Sequence, residues 1–311
     1  ISGVQSILQS CPNIRAIITI RTEVWRRMGS AGKNQRDQFD HFRDLTYLLN
    51  PDESSVKAIL ERRLEIAARK IDGRHVANCY APFFEGENCQ IPTTSERRSW
   101  VDFIVKRARE RPRDGIQLIG ALLKCAQENK RDRIASIDVE KSIVTYSTQR
   151  VDDLVREVDL ECNEIREIVR SFAYIESSDN GFTFSSEELR RHLKGIPSRF
   201  STTILGTTLR PGIDTDCEFR IWQYLHEIGF INPKVVDHSM PKGYRHISIA
   251  DDSGGISKGR WNQLQTYLWE IHPAYRDYLI HEKHQMNLSR GAQQPSSVTP
   301  ASKGKPQRAR R

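Results

Sequence analysis

Two short runs place an arginine where it could meet a phosphate. The first is Ile17-Ile18-Thr19-Ile20-Arg21-Thr22-Glu23, an apolar stretch that ends in polar and charged groups. If residues 14–20 form a strand of a parallel sheet, Arg21 leaves its carboxyl end, where open α/β sheets bind their ligands. A guanidinium in that crevice can pair with a terminal phosphate through charge-assisted hydrogen bonds. The second run is Arg111-Pro112-Arg113-Asp114-Gly115. Pro112 suits the first turn of a helix and Asp114 its positive end, which sets Arg113 at a helix start. Plain structural roles fit both runs as well. Any buried strand followed by an arginine reproduces the first, and ordinary helix-start residues reproduce the second.

Other chemistries find little support. The six cysteines stand far apart, at 11, 79, 89, 125, 162 and 217, with no CxxC pair to suggest zinc or thiol exchange. Scattered thiols of this kind fit a reducing compartment. His281 and His284 share a helix face but lack a third ligand, so no metal site is expected. No Ser/His/Asp or Cys/His set stands out. The phosphate-cradling GxxxxGK[ST] loop is absent, and so is an acidic strand end that would hold magnesium. The chain therefore carries no complete catalytic site and is not expected to hydrolyse ATP by itself.

No stretch approaches the roughly 20 apolar residues that span a bilayer, and no basic-then-apolar leader is present. A cytoplasmic protein without a membrane partner is expected. The net charge of +8 is unevenly spread. Residues 151–282 hold 15 basic and 21 acidic side chains, whereas 283–311 hold 7 basic and none acidic. The excess basicity lies in the tail, and the last folded region is acidic.

The elements that must position these residues can be read from periodicity. Residues 14–20 follow Cys11-Pro12-Asn13 as a β-branched run, which fits a strand buried on both faces. One strand cannot form a sheet, so the chain reads as a piece whose companion strands lie upstream of Ile1. Asn50-Pro51-Asp52-Glu53 reads as a helix start capped by Asn50, with Glu53 reaching back. Val56, Ile59, Leu60 and Leu64 face inward from there. A second helix runs around Trp100, Phe103 and Ile104, and a third turns Ile116, Ile119, Leu123 and Ala126 inward. A fourth extends from Ser136 through Ile143 and Tyr146. The cations Arg97, Arg98, Lys106, Arg107 and Arg109 alternate with Glu96, Asp102 and Glu110, as on a solvated helix face.

Beyond residue 155 the pattern changes. Helices are expected around Ile165–Phe172, from a capping box at Ser185-Ser186-Glu187-Glu188, and over 216–229. Two strand-like runs follow, 230–236 and 244–250, and a closing helix covers 257–282 around Trp261, Leu264, Leu268 and Trp269. Three helices and a hairpin give the order of a winged helix-turn-helix. Residues 283–311 read as a disordered basic tail.

The run 17–23 resembles the sensor strand of STAND and AAA-type P-loop ATPases, and Arg111–Gly115 resembles their sensor-2 turn. Ile20 departs from the family pattern, which often has Thr there. The order of parts strengthens the likeness. The expected fold is mostly α: the end of a P-loop α/β core (1–49), a four-helix lid (50–155), a winged helix (156–282) and the tail (283–311). The resemblance implies ATP and Mg2+ held mainly by a missing N-terminal P-loop domain, the chain's first expected partner. It implies nucleotide sensing by Arg21, Thr19 and Arg113, and a homo-oligomer as a candidate assembly. The alternative is a winged-helix DNA-binding regulator that touches nucleic acid through Arg220, Lys234, Lys242 and Arg245. The acidic balance of 151–282 argues against it, because DNA affinity rests largely on neutralising phosphates.

Overall fold

In a computed structural model the described residues are 10–11, 13–20, 45–47, 49, 52–73, 77–92, 94–175, 181–240, 243–247 and 255–292. The chain divides into two compact units, Ile1–Asn50 and Pro51–Arg311. In the first unit the expected strand is not formed. Residues 14–20 have neither helix nor strand and are exposed, with Ile17 96% accessible. An apolar run becomes a buried strand only with ladder partners, and the described residues of this unit contain no strand to pair with it.

The second unit is mostly helical, with small antiparallel sheets. Helix α1 (Glu53–Asp72) is capped by Asp52, whose carboxylate accepts from the Ser55 backbone N–H, rather than by Asn50. Asn50 lies outside the described residues. The cap falls two residues later because the carboxylate must reach the N–H three positions on. Those hydrogen bonds from Ser55 and Ser54 also hold the exposed Asp52 carboxyl down to about 2. Val56, Leu60, Leu64 and Ala68 face the core, while Ile59 is largely outside it.

A hairpin that the apolar pattern does not reveal, β1 (Asn88–Gln90) with β2 (Arg97–Ser99), leads into α2 (Trp100–Arg107). Arg97 and Arg98 are therefore strand residues and share no helix face with Lys106. Next come α3 (Pro112–Glu128) and the long α4 (Ser136–Val158). Helix α3 buries Gly115, Leu118, Leu122 and Ala126, a stripe rotated from the expected one, and leaves Leu123 exposed. A Cβ on Gly115 would lie 2.9 Å from Leu60 Cδ1, so α1 and α3 meet closely there and a side chain would force Leu60 to shift. Gly115→Val should overpack this contact and cost about 1–3 kcal/mol, read as a lower urea midpoint at unchanged m-value.

The four helices α1–α4 enclose one cluster, from Val56 to Tyr146. A second cluster begins at Val151 on the same α4 and runs to Leu279. The boundary expected at 155/156 thus falls inside one continuous helix. The second cluster is built by α5 (Ile165–Ser171), β3 (Thr183–Ser185), α6 (Ser186–Lys194), the short α7 (Ile196–Arg199) and hairpin β4 (Thr202–Ile204)–β5 (Thr207–Leu209). It is completed by α8 (Cys217–Glu227), β6 (Ile231–Val236), α9 (Trp261–Leu264), β8 (Leu268–Ile271) and α10 (Pro273–Ala292), while β7 (Tyr244–His246) pairs with β6 at the sheet's edge. The capping box of α6 is as expected, with Ser185 and Glu188 exchanging hydrogen bonds with each other's backbone.

The segment 257–282 differs from its expected single helix. Leu268 and Trp269 lie on β8, the second strand of an antiparallel sheet ordered β3-β8-β6-β7. The alternation of exposed Leu268, buried Trp269, half-buried Glu270 and buried Ile271 is a strand's period of two. A separate helix, α10, follows and runs through residues 283–292, part of the stretch expected to be tail. Residues 293–311 lie outside the described ones.

Candidate functional site

The second unit holds a buried ionic cluster where α2, α3, α4 and α10 converge. The chain leaves α2 at Ala108 and turns through Arg109 and Glu110, both left-handed at φ 49° and 55°, before Pro112 opens α3. Asp114, third residue of α3, takes an arginine on each oxygen. Arg109 Nε donates to Oδ2 at 2.8 Å and Arg150 Nη1, from α4, to Oδ1 at 2.6 Å. The side chains of Arg109, Asp114 and Arg150 are only 7%, 4% and 3% exposed.

The cluster reaches α10 by three routes. Arg109 Nη1 donates to the Tyr275 hydroxyl at 2.7 Å. Arg107 Nη2 donates to Asp277 Oδ2 at 3.3 Å, its guanidinium 4.2 Å from the centre of the Phe103 ring. Ser147 Oγ donates to the Ala274 carbonyl at 2.7 Å and accepts the Tyr278 N–H at 3.0 Å. Tyr146 braces the turn, its hydroxyl donating to the Arg107 carbonyl at 2.9 Å, with the Asp114 carbonyl 3.3 Å away. Burial opposes the Arg109 charge, but the Tyr275 hydroxyl and the Asp114 carboxylate outweigh it and hold its pKa above the ordinary value. Burial likewise pushes the Tyr146 and Tyr275 hydroxyls up, so both stay protonated, Tyr146 donating to the Arg107 carbonyl and Tyr275 accepting from Arg109.

Sequence reasoning missed this constellation. Arg107 and Arg109, expected on a solvated face, are among its buried members. Among the residues that were expected to act, Arg113 is exposed at the second position of α3, one residue from Asp114. Thr19 is exposed in the first unit, and Arg21 lies outside the described residues. Arg220 is exposed on α8. Lys234 lies 4.0 Å from the centre of the Tyr244 ring, and Arg245 pairs with Asp237 Oδ2 at 3.2 Å. Lys242 lies outside the described residues. Among the described residues no group of three His, Cys, Asp or Glu could hold a metal, and no helix is long and apolar enough to cross a membrane.

Two histidines give this unit a pH dependence. Burial lowers His192 to about 4, and its ring sits 2.9 Å from Ser171 Oγ. Burial, with Arg109 and Arg276 adding to it, lowers His272 to about 3. Unfolded histidines take up protons near pH 6.5, which the folded protein declines until far lower. Stability is thus complete above pH 6.5 and falls as the pH drops from there towards 4. His192 alone contributes a slope of up to about 1.4 kcal/mol per pH unit in that window. His192→Gln keeps a partner for Ser171 and should flatten the slope of urea midpoints between pH 7 and 4.5.

Residues 55–155 match the family model of the FunZ-associated C-terminal helical domain. The match covers most of α1 and all of α2 and α3, and extends through most of α4, including the turn at Arg109 and the residues Asp114 and Arg150. No curated protein and no solved structure gives a significant match.

Proposed function

We propose that this chain is the lid-and-relay portion of a cytoplasmic P-loop ATPase of the STAND or AAA type. ATP and Mg2+ would bind an upstream domain, and the chain would pass on the nucleotide state. One observation carries the reading. Arg113 is free to reach outward at the start of α3, while its neighbour Asp114 is locked to α4 directly and to α10 through Arg109 and Tyr275. A displacement felt at Arg113 is therefore one residue from a rigid connection into the sheet-bearing half. The match of 55–155 to a C-terminal helical domain fits a lid that follows a catalytic core.

The second half supports a winged-helix reading by its topology. Helix α5, strand β3, helices α6 and α8 and strand β6 come in that order, and a late strand, β8, inserts between β3 and β6. A DNA-contacting role is less favoured by the same geometry. Helix α8, which would have to enter a groove, buries eight of its eleven residues. Trp261 packs edge-on against its Phe219, and the Ile256 N–H is bonded to Gln223. Of the four nominated cations, Lys234 and Arg245 already have partners.

The test uses the full-length protein. The coding sequence upstream of Ile1 should specify GxxxxGK[ST] on a strand–loop–helix. Arg113→Ala and Arg21→Ala should each lower ATP turnover by about tenfold or more, as removal of a charge-stabilising donor does. Absence of the loop would overturn the proposal. An unchanged turnover in either variant would remove that arginine from the site.

A further inference from the structure

Arg109 and Glu110 stand consecutively in the left-handed region, and neither is glycine. A Cβ there crowds the following carbonyl, so such a pair persists only where its surroundings over-determine it. The Arg111 N–H closes the turn on the Ala108 carbonyl at 2.7 Å, and side-chain bonds add to it. Arg109 itself is tied to Asp114 on α3 and to Tyr275 on α10, and Tyr146 of α4 holds the Arg107 carbonyl. Beyond that local bond, the two left-handed residues are held in place by distant elements. Ala108 is already right-handed, at φ −80° and ψ 0°. Right-handed backbone at 109 and 110 would extend α2 as far as Arg111, whose extended conformation is imposed by Pro112.

We infer that the 108–111 turn is a two-position latch between α3 and α10. Closed, Arg109 is bound to Asp114 and Tyr275 and the turn is left-handed. Open, Arg109 is released, α2 is longer, and the start of α3 is re-aimed. The first turn of α3 and the head of α10 then report each other's state. A bistable element of this kind is what converts a small local displacement into movement of packed helices. The latch belongs to this chain and does not depend on what meets Arg113, so it can stand or fall apart from the ATPase reading.

Coupling of this sort is reciprocal: loosening either end loosens the other. Amide exchange of the whole chain, followed by mass spectrometry, reads both ends at once. Tyr275→Phe keeps the buried ring and removes only the hydroxyl on α10. It should speed exchange at 108–114 roughly tenfold while leaving α1 unchanged. Asp114→Asn should in turn speed exchange at 272–279. Glu110→Gly relieves one strained residue and, compared with Glu110→Ala as a control that loses the same side chain, should slow exchange at 108–114. Faster exchange confined to the substituted element, or a turn indifferent to both Tyr275→Phe and Glu110→Gly, would overturn the latch. Should Asp114→Asn fail to fold, the other two variants still decide.

Discussion

Asp114→Ala is expected to destabilise the second unit by about 3–5 kcal/mol, the usual result of removing one partner from a buried ionic group. The carboxylate takes Arg109 on one oxygen and Arg150 on the other, and all three side chains are almost fully enclosed. Without it, Arg109 stays inside with no carboxylate, and Arg150 keeps only Asp153, at 2.8 Å. Domain stabilities are about 5–15 kcal/mol, so a loss of this size takes a large fraction and should appear as a marked fall in guanidinium midpoint. The cost is that of orphaned charge, not the net worth of the bonds. Replacing the whole group, Arg109→Met with Asp114→Leu and Arg150→Met, should therefore recover most of the loss, to within about 2 kcal/mol of the natural chain. If the triple variant is as unstable as Asp114→Ala, shape rather than charge holds this junction. A triple variant that is stable should still lose the exchange coupling between 108–114 and 272–279.

The contrast between Arg113 and Arg109 shows how far the sequence could be read. Pro112 and Asp114 mark a helix start by local chemistry, and α3 begins there. Which nearby arginine is buried depends on partners that lie 166 and 170 positions later, Tyr275 for Arg109 and Asp277 for Arg107. No local period carries that information. The alternation of cations and carboxylates around Lys106 looks solvated because charge runs usually are. Here the carboxylate of Arg109 is Asp114, just beyond that run, and that of Arg107 is the distant Asp277. The same limit explains 257–282. Trp261, Leu264 and Leu268 repeat at three and four, which fits a helix, while the period of two in Leu268-Trp269-Glu270-Ile271 is only four residues long. Strands of three residues, such as β1 and β4, leave still less to read. The capping box at Ser185 needs no distant partner, and it appears where the sequence places it.

Trp269→Ala should cost a further about 3–5 kcal/mol, the range for a large aromatic lost from a packed core. Trp269 is 1% exposed on β8, opposite Phe184 of β3 and Pro233 of β6. Its ring meets Trp222 of α8 edge-on, at 4.8 Å between centroids. Its indole N–H donates to Ser186 Oγ at 2.8 Å, at the start of α6. One side chain thus joins the sheet to both helices. The two tryptophans differ in how their nitrogens are satisfied, since the Trp222 indole N–H is buried with no partner. Trp222→Phe therefore loses area but sheds an unpaired donor, whereas Trp269→Phe removes the donor to Ser186, worth about 1 kcal/mol. Thermal unfolding of the two Phe variants side by side should show that order. Because α10 begins only two residues after β8 ends, Trp269→Ala should also disturb Tyr275. Exchange at 108–114 should then rise, although no atom of that turn has been changed. A Trp269→Ala variant that loosens the sheet yet leaves the turn protected would mean that Ser147, Arg107 and Arg109 hold α10 without help from the sheet.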